Sequence, residues 1–277
     1  MTGPTPWGPP PGDPGGSEGP APHPTPHRSY LIPVVLLLVV VMLGLGWAID
    51  TVRARDAGTP GREATIPGAV TSSVARAAPQ AVRVQGVACD LQISGSGVTI
   101  APGLVVTNAH VVAGVRDGLH VDLGSGGASA PATVVAFDSV TDLAVLRTDL
   151  ARSAATLAAA EDGSAVTVTG YPGGGSIATI PATVEHTITA MSADIYGGGP
   201  HEREVLVLHA VLEAGDSGGP VIGADGAVVG IAFALDPDTP GVAYAATDGE
   251  VTEVLRTVGA QPVSTGACLP AESFGGT

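Results

Sequence analysis

The chain has 277 residues, a net charge of −15, 40 glycines and only 3% aromatic side chains. That length holds one domain of about 200 residues plus appendages, and a core limited to small aliphatic side chains suits β-structure with many tight turns. All 11 basic residues are arginine, and from residue 70 onward 7 of them stand against 21 Asp plus Glu, so nucleic acid is excluded as a partner for want of a basic stripe.

Residues 1–28 repeat Pro and Gly with few apolar side chains, which predicts a disordered tail. From Leu31 to Ile49 no charge occurs. At about 1.5 Å per residue this run spans roughly 28 Å, near the hydrocarbon thickness of a bilayer. Tyr30 and Trp47 sit near its ends, where amphipathic rings collect. Residues 29–49 are therefore expected to be a transmembrane helix, and the partner there a membrane. Residues 50–69, broken by Gly58, Pro60, Gly61 and Pro67, read as a linker, and Ser72 to Ala78 as a short helix before Pro79.

A single domain is expected over 70–268, followed by a tail at 269–277. Within it, apolar runs predict strands at 98–100, 104–107, 119–123, 133–137 and 143–147, with Ala101-Pro102-Gly103 as a hairpin turn. A second set follows an Ala-rich stretch at 151–162, with strands at 166–170, 183–189, 205–209, 220–222, 228–233 and near 242–244. Two such clusters fit an all-β fold of two antiparallel barrels. Thr247-Asp248-Gly249-Glu250 has the form of a capping box, and Val251, Val254, Leu255 and Val258 repeat at helical spacing, so a helix closes the domain.

Three segments carry candidate chemistry. Thr107-Asn108-Ala109-His110 follows the second strand, and Asp142 stands directly before Leu143-Ala144-Val145-Leu146, with Asp138 as its rival. The third is Glu213-Ala214-Gly215-Asp216-Ser217-Gly218-Gly219-Pro220. Glycines around a serine make a surface turn unless a base stands beside the hydroxyl and amides face the oxyanion it would create. Gly215 and Gly218-Gly219 leave the backbone free to turn tightly, which is expected to point the amides of Gly215 and Ser217 into one small space. Cys89 and Cys268 lie near the two ends of the domain. They are either buried free thiols or, in an oxidising compartment, a disulfide. No Cys/His cluster implies zinc, and no cofactor is expected.

The run Gly-Asp-Ser-Gly-Gly-Pro resembles the nucleophile loop of the trypsin/chymotrypsin superfamily. The histidine motif is similar to that of its HtrA-like bacterial branch. Gly95-Ser96-Gly97-Val98, Gly170-Tyr171-Pro172-Gly173-Gly174-Gly175, Asp194-Ile195-Tyr196-Gly197 and Thr265-Gly266-Ala267-Cys268 look like the membrane-anchored periplasmic serine proteases of actinobacteria, the MarP-like type. The resemblance covers about residues 75–268. It implies two six-stranded chymotrypsin-like barrels with a C-terminal helix, and a triad of His110, Asp142 and Ser217 split between them. It further implies an oxyanion hole from the amides of Gly215 and Ser217, and Val211 at the floor of the specificity pocket. Joining Cys89 to Cys268 also follows from it.

The expectation is a serine endopeptidase anchored by one helix, with residues 50–277 outside the cytoplasm and peptides or proteins as substrates. Only 9 residues follow Cys268, so no peptide-binding PDZ domain is expected. Two alternatives share the fold: a catalytically inactive binding protein, and an esterase or acyl-transfer enzyme.

Overall fold

A computed structural model describes residues 80–236 and 238–269. The tail, span, linker and short helix expected at 1–28, 29–49, 50–69 and 72–78 lie outside the described residues, as does the C-terminal tail after residue 269. Among the described residues no helix is long and apolar enough to cross a membrane.

The first six strands are β1 (Ala81–Ala88), β2 (Leu91–Ala101), β3 (Leu104–Thr107), β4 (Val115–Asp122), β5 (Ser129–Asp138) and β6 (Leu143–Thr148). They pair in the order β1-β2-β3-β6-β5-β4 and close into a barrel. The second six are β7 (Ala165–Gly170), β8 (Ala178–Ser192), β9 (His201–His209), β10 (Pro220–Ile222), β11 (Val228–Leu235) and β12 (Val242–Thr247). These close in the order β10-β11-β12-β9-β8-β7. All pairings are antiparallel. Helix α1 (Ala109–Val112) follows β3, and α2 (Asp248–Arg256) follows β12.

Alternation fills each barrel from one side of every strand. Val82, Val84, Val105, Val121 and Leu146 are buried in the first barrel, and Val168, Val184, Leu206, Leu208 and Val221 in the second. A third cluster joins the barrels: Val98, Val106, Leu143 and Val145 meet Val228 and Ile231, with Val251 and Val254 of α2 packed on them. The Ala-rich stretch runs between the barrels, Ala155 N–H donating to the Thr99 carbonyl at 2.8 Å and Val228 N–H to the Thr156 carbonyl at 2.8 Å.

Three elements differ from the sequence expectation. Strand β1 has no counterpart in the expected set, because Gly86 interrupts its alternation; a Cβ there would touch Leu119 at 3.4 Å. Strand β2 begins at Leu91, well before its apolar run at Val98. Its Gly97 carries no side chain because a Cβ would come within 2.8 Å of Val105. Strands β8 and β9 extend as a ribbon through Ser192↔His201, where exposed residues alternate with more buried ones and no apolar run reveals the strands.

The α2 cap is half of the expected box. The Thr247 side chain accepts from Glu250 N–H at 3.3 Å. The Glu250 carboxylate accepts instead from the Glu204 amide on β9, at 2.9 Å. After α2 the chain straps the first barrel, Val263 N–H donating to the Val134 carbonyl at 3.0 Å and Gly114 N–H to the Thr265 carbonyl at 3.0 Å. The strap ends in a disulfide. Cys89 and Asp90 form the two-residue β1–β2 turn, both at positive φ (54° and 66°). Cys89 is bonded to Cys268 across a sequence separation of 179 residues. A loop of that length gives roughly 5 kcal/mol in the chain-entropy view of disulfides.

Candidate active site

His110 sits on α1, one short turn off the end of β3, where Asn108 is extended and starts the helix. Asp142 closes the turn before β6. The two are joined twice: the Asp142 carboxylate accepts from His110 N–H at 2.8 Å and lies 2.7 Å from His110 Nδ1. The backbone repeats the tie, since the Asp142 carbonyl accepts from Ala109 N–H at 3.1 Å and from Asn108 Nδ2 at 2.9 Å. Asp142 is at φ 56°, a left-handed conformation that costs on the order of 1 kcal/mol away from glycine. These four bonds hold it there. Asp138 is no competitor, because its carboxylate caps the turn by accepting from Val140 N–H at 2.8 Å. Burial pulls the His110 imidazole down from its ordinary 6.5, but the charge and hydrogen bond of Asp142 together outweigh this, and His110 titrates above that value.

Ser217 lies in the turn between β9 and β10. Gly215 and Gly218 adopt φ of 100° and 86°. At Gly218 a Cβ would collide with the Ser96 carbonyl oxygen, and at Gly219 it would come within 2.5 Å of the Thr169 carbonyl oxygen. The turn is thus folded through space that only glycine leaves open. Gly218 N–H donates to the Ala232 carbonyl at 2.8 Å and Gly219 N–H to the Asp216 carbonyl at 2.8 Å. Among the described residues, the amides of Gly215 and Ser217 donate to no protein acceptor. Gly95 brings the two barrels' contributions close: a Cβ there would meet Val111, next to His110, at 2.7 Å and the Ser217 carbonyl at 3.2 Å. His110 Nδ1 is occupied by Asp142, which leaves Nε2 as its free nitrogen. No hydrogen bond links the ring to the Ser217 hydroxyl among the described residues.

Residues 95–231 match the family described as trypsin-like peptidase domain. Serine protease Rv3671c of Mycobacterium tuberculosis is 39% identical over 203 residues, 71% of this chain and 50% of that protein. A crystal structure of the Rv3671c protease in its active form aligns with a TM-score of 0.70 at 38% identity, covering 74% of this chain and 92% of that one. An inactive form of the same protease aligns with a TM-score of 0.61 at 36% identity, over 70% of this chain and 97% of that one.

The chain belongs to the trypsin-like serine peptidases. It spans about half the length of the curated mycobacterial relative it matches.

Within this trypsin-like domain, Val211 is 73% exposed. It presents its side chain to solvent, so the expected pocket floor is not closed by it. Asp216 is fully buried, and its carboxylate accepts from Glu213 N–H at 2.8 Å. Burial pushes that carboxyl up from the ordinary 3.8; the Glu213 amide opposes this and the Glu213 charge adds to it. No group of three or more His, Cys, Asp or Glu among the described residues is arranged to hold a metal ion.

Two contributors escape a reading of the sequence. Ser96, fully buried on β2, reaches across to the Ser217 turn of the second barrel. Its N–H donates to the Ser217 carbonyl at 2.8 Å, its hydroxyl donates to the Gly215 carbonyl at 2.7 Å and accepts from Tyr171 N–H at 2.9 Å. Gly173, at φ 59° in the turn Pro172–Gly174, donates its N–H to the Ala214 carbonyl at 2.7 Å. In a trans peptide the N–H points opposite to the C=O, so this bond sets which way the Gly215 amide faces. The flanking motifs Gly-Ser-Gly and Tyr-Pro-Gly-Gly-Gly are the only trace of either in the sequence.

Proposed function

We propose that this chain is a membrane-anchored, extracytoplasmic serine endopeptidase that hydrolyses peptide bonds through His110, Asp142 and Ser217. The observation that carries the reading is the paired grip of Asp142 on His110 beside a glycine-formed turn whose Gly215 and Ser217 amides have no acceptor among the described residues. Ser217 Oγ attacks the substrate carbonyl carbon while His110 Nε2 takes its proton. The oxyanion accepts from the Gly215 and Ser217 amides. His110 returns the proton to the leaving amine as the C–N bond breaks, leaving an acyl ester on Ser217. Water then attacks that ester by the same proton exchange. Asp142 holds Nδ1 protonated and offsets the imidazolium charge throughout.

Substrates are proteins or peptides. The apolar preference expected from Val211 loses its footing, because that side chain is exposed and closes no pocket. Anchoring rests on the charge-free run from Leu31 to Ile49. The outward orientation rests on the Cys89–Cys268 disulfide, a bond kept in oxidising compartments.

A fluorophosphonate probe tests the chemistry: it should label the wild type and spare Ser217→Ala. An unlabelled wild type would sink the reading in favour of a binding protein, and turnover of esters without amides would redirect it to acyl transfer. Alkylation of intact cells with a membrane-impermeant maleimide tests the topology. Two free thiols, in a domain that resists protease added to spheroplasts, would place it in the cytoplasm.

A further inference from the structure

Asp142 is held at positive φ, yet its own four bonds act only on its carboxylate and carbonyl. The turn leading into it, Asp138 to Thr141, is gripped from the other barrel. Arg203 lies on β9, opposite Ala190 in the β8–β9 ribbon. It is 6% exposed. Its guanidinium donates to the Thr141 carbonyl at 2.8 Å and to the Val140 carbonyl at 3.3 Å. Its guanidinium carbon lies over the Phe233 ring of β11, 4.2 Å from the ring centre. These are the two peptide carbonyls immediately before Asp142.

The arrangement is a costly way to fasten a ribbon. Among the described residues no carboxylate comes within ion-pair distance of Arg203. Its Nε is buried with no partner among them. A buried cation without a counter-ion is a poor stabiliser of a fold. Burial lowers its pKa, while the more distant charges of Asp142, Glu250 and Asp138 oppose this in that order. What the guanidinium gains is geometric: a planar fork spanning two successive carbonyls, which a lysine cannot match.

We propose that Arg203 is a positioning residue for the triad, clamping the Val140 and Thr141 carbonyls from the second barrel so that Asp142 stays aimed at His110. The inference rests on the proposed role of Asp142 and His110. It adds that the acid–base pair, though carried by one barrel, is aligned by the other. Any movement of β9 relative to the first barrel would therefore misalign the pair.

The experiment compares wild type with Arg203→Met, which keeps the stem and removes the fork, and Arg203→Lys, which keeps the charge alone. Two quantities are read: kcat and KM on a peptide substrate, and the His110 titration followed by NMR, which needs no turnover. For Arg203→Met we expect kcat to fall about 10- to 100-fold with KM within about twofold, as for a misplacement of roughly 1 Å. Its His110 pKa should fall, because burial is no longer outweighed by a well-placed Asp142. Arg203→Lys should fall between the two on both readouts. A His110 titration unchanged in a folded Arg203→Met protein overturns the inference, whatever its activity. A rise overturns it as well, since that would mean the charge acted and the geometry did not. If wild type proves inactive while Arg203→Met still lowers the His110 pKa, the endopeptidase reading fails and the clamp stands. Should Arg203→Met not fold, the Arg203→Lys titration decides alone, and no change in it counts against the clamp.

Discussion

His110 and Asp142 are joined by side chains within one barrel, whereas Ser217 is placed by backbone and by the absence of side chains, with its main anchor on the other barrel. The first half uses short charge-assisted contacts, 2.7 and 2.8 Å, to the Asp142 carboxylate. The second half uses glycine: Gly215 and Gly218 at positive φ, and Gly95 at the close approach. A charge-assisted pair should answer to pH. A glycine-built turn should ignore pH and fail sharply when a single methyl group is added. The two halves are thus separable by experiment.

The largest effect should come from removing a member of either half. Ser217→Ala and His110→Ala should each lower kcat by about four to six orders of magnitude, and the double variant should be little worse than either. Losses that multiply would mean the two halves do not act as a unit. Next comes the methyl group. Gly218→Ala must push its Cβ against the Ser96 carbonyl from a left-handed conformation. We expect kcat/KM to fall about 100- to 1,000-fold through a displaced oxyanion site, with the His110 titration untouched. Near-normal kinetics would show that the turn is not built on this glycine.

The pH dependence probes the other half. The folded His110 pKa is raised above 6.5, and the proposed mechanism uses the neutral imidazole as base, so activity should climb with pH around a midpoint above that value. From one unit above the midpoint to one below, kcat/KM should drop about tenfold. A profile flat between pH 5 and 8 would remove His110 from the mechanism. The same sign governs stability: a raised histidine pKa contributes fully below the unfolded value near 6.5 and is lost as pH rises through the folded one.

How much of this was legible beforehand differs between the halves in the same way. Side-chain chemistry leaves its mark in sequence, so His110, Asp142 and Ser217 stand out as candidates there, and the fold pairs the first two. The barrels were legible wherever apolar residues alternate, and the closing helix from its periodic valines. What escaped is governed by contact across the chain. Strand β1 hides behind Gly86, and β2 is interrupted by Gly95 and Gly97, which propensity reads as a turn. Ser96 reads as one more small residue, yet is buried at the crossing of the barrels with three bonds to the second. Glu250 fits a capping box by spacing and is diverted by Glu204, which only the fold brings near. Val211 was read by its distance from Ser217 in sequence, which fixes position along the chain and says nothing of burial.

Ser96 also supplies the finest test of the comparison. Replacing it with alanine removes the hydroxyl that supports the Gly215 carbonyl and the Tyr171 amide, but keeps the backbone bond from residue 96 to the Ser217 carbonyl. The loss is therefore of one side chain's hydrogen bonds in a buried place, about 1 kcal/mol each in net effect. We expect fluorophosphonate labelling and kcat/KM to slow by about five- to tenfold, since the turn stays anchored and only the angle of the Gly215 peptide is freed. The His110 titration should not move, because no bond of Ser96 reaches Asp142 or α1 except through the Thr107 hydroxyl, which donates to its backbone carbonyl at 2.6 Å. That carbonyl remains in the alanine variant. If the titration does shift, the nucleophile turn and the acid–base pair are mechanically coupled through β2, and the separation between side-chain and backbone halves does not hold.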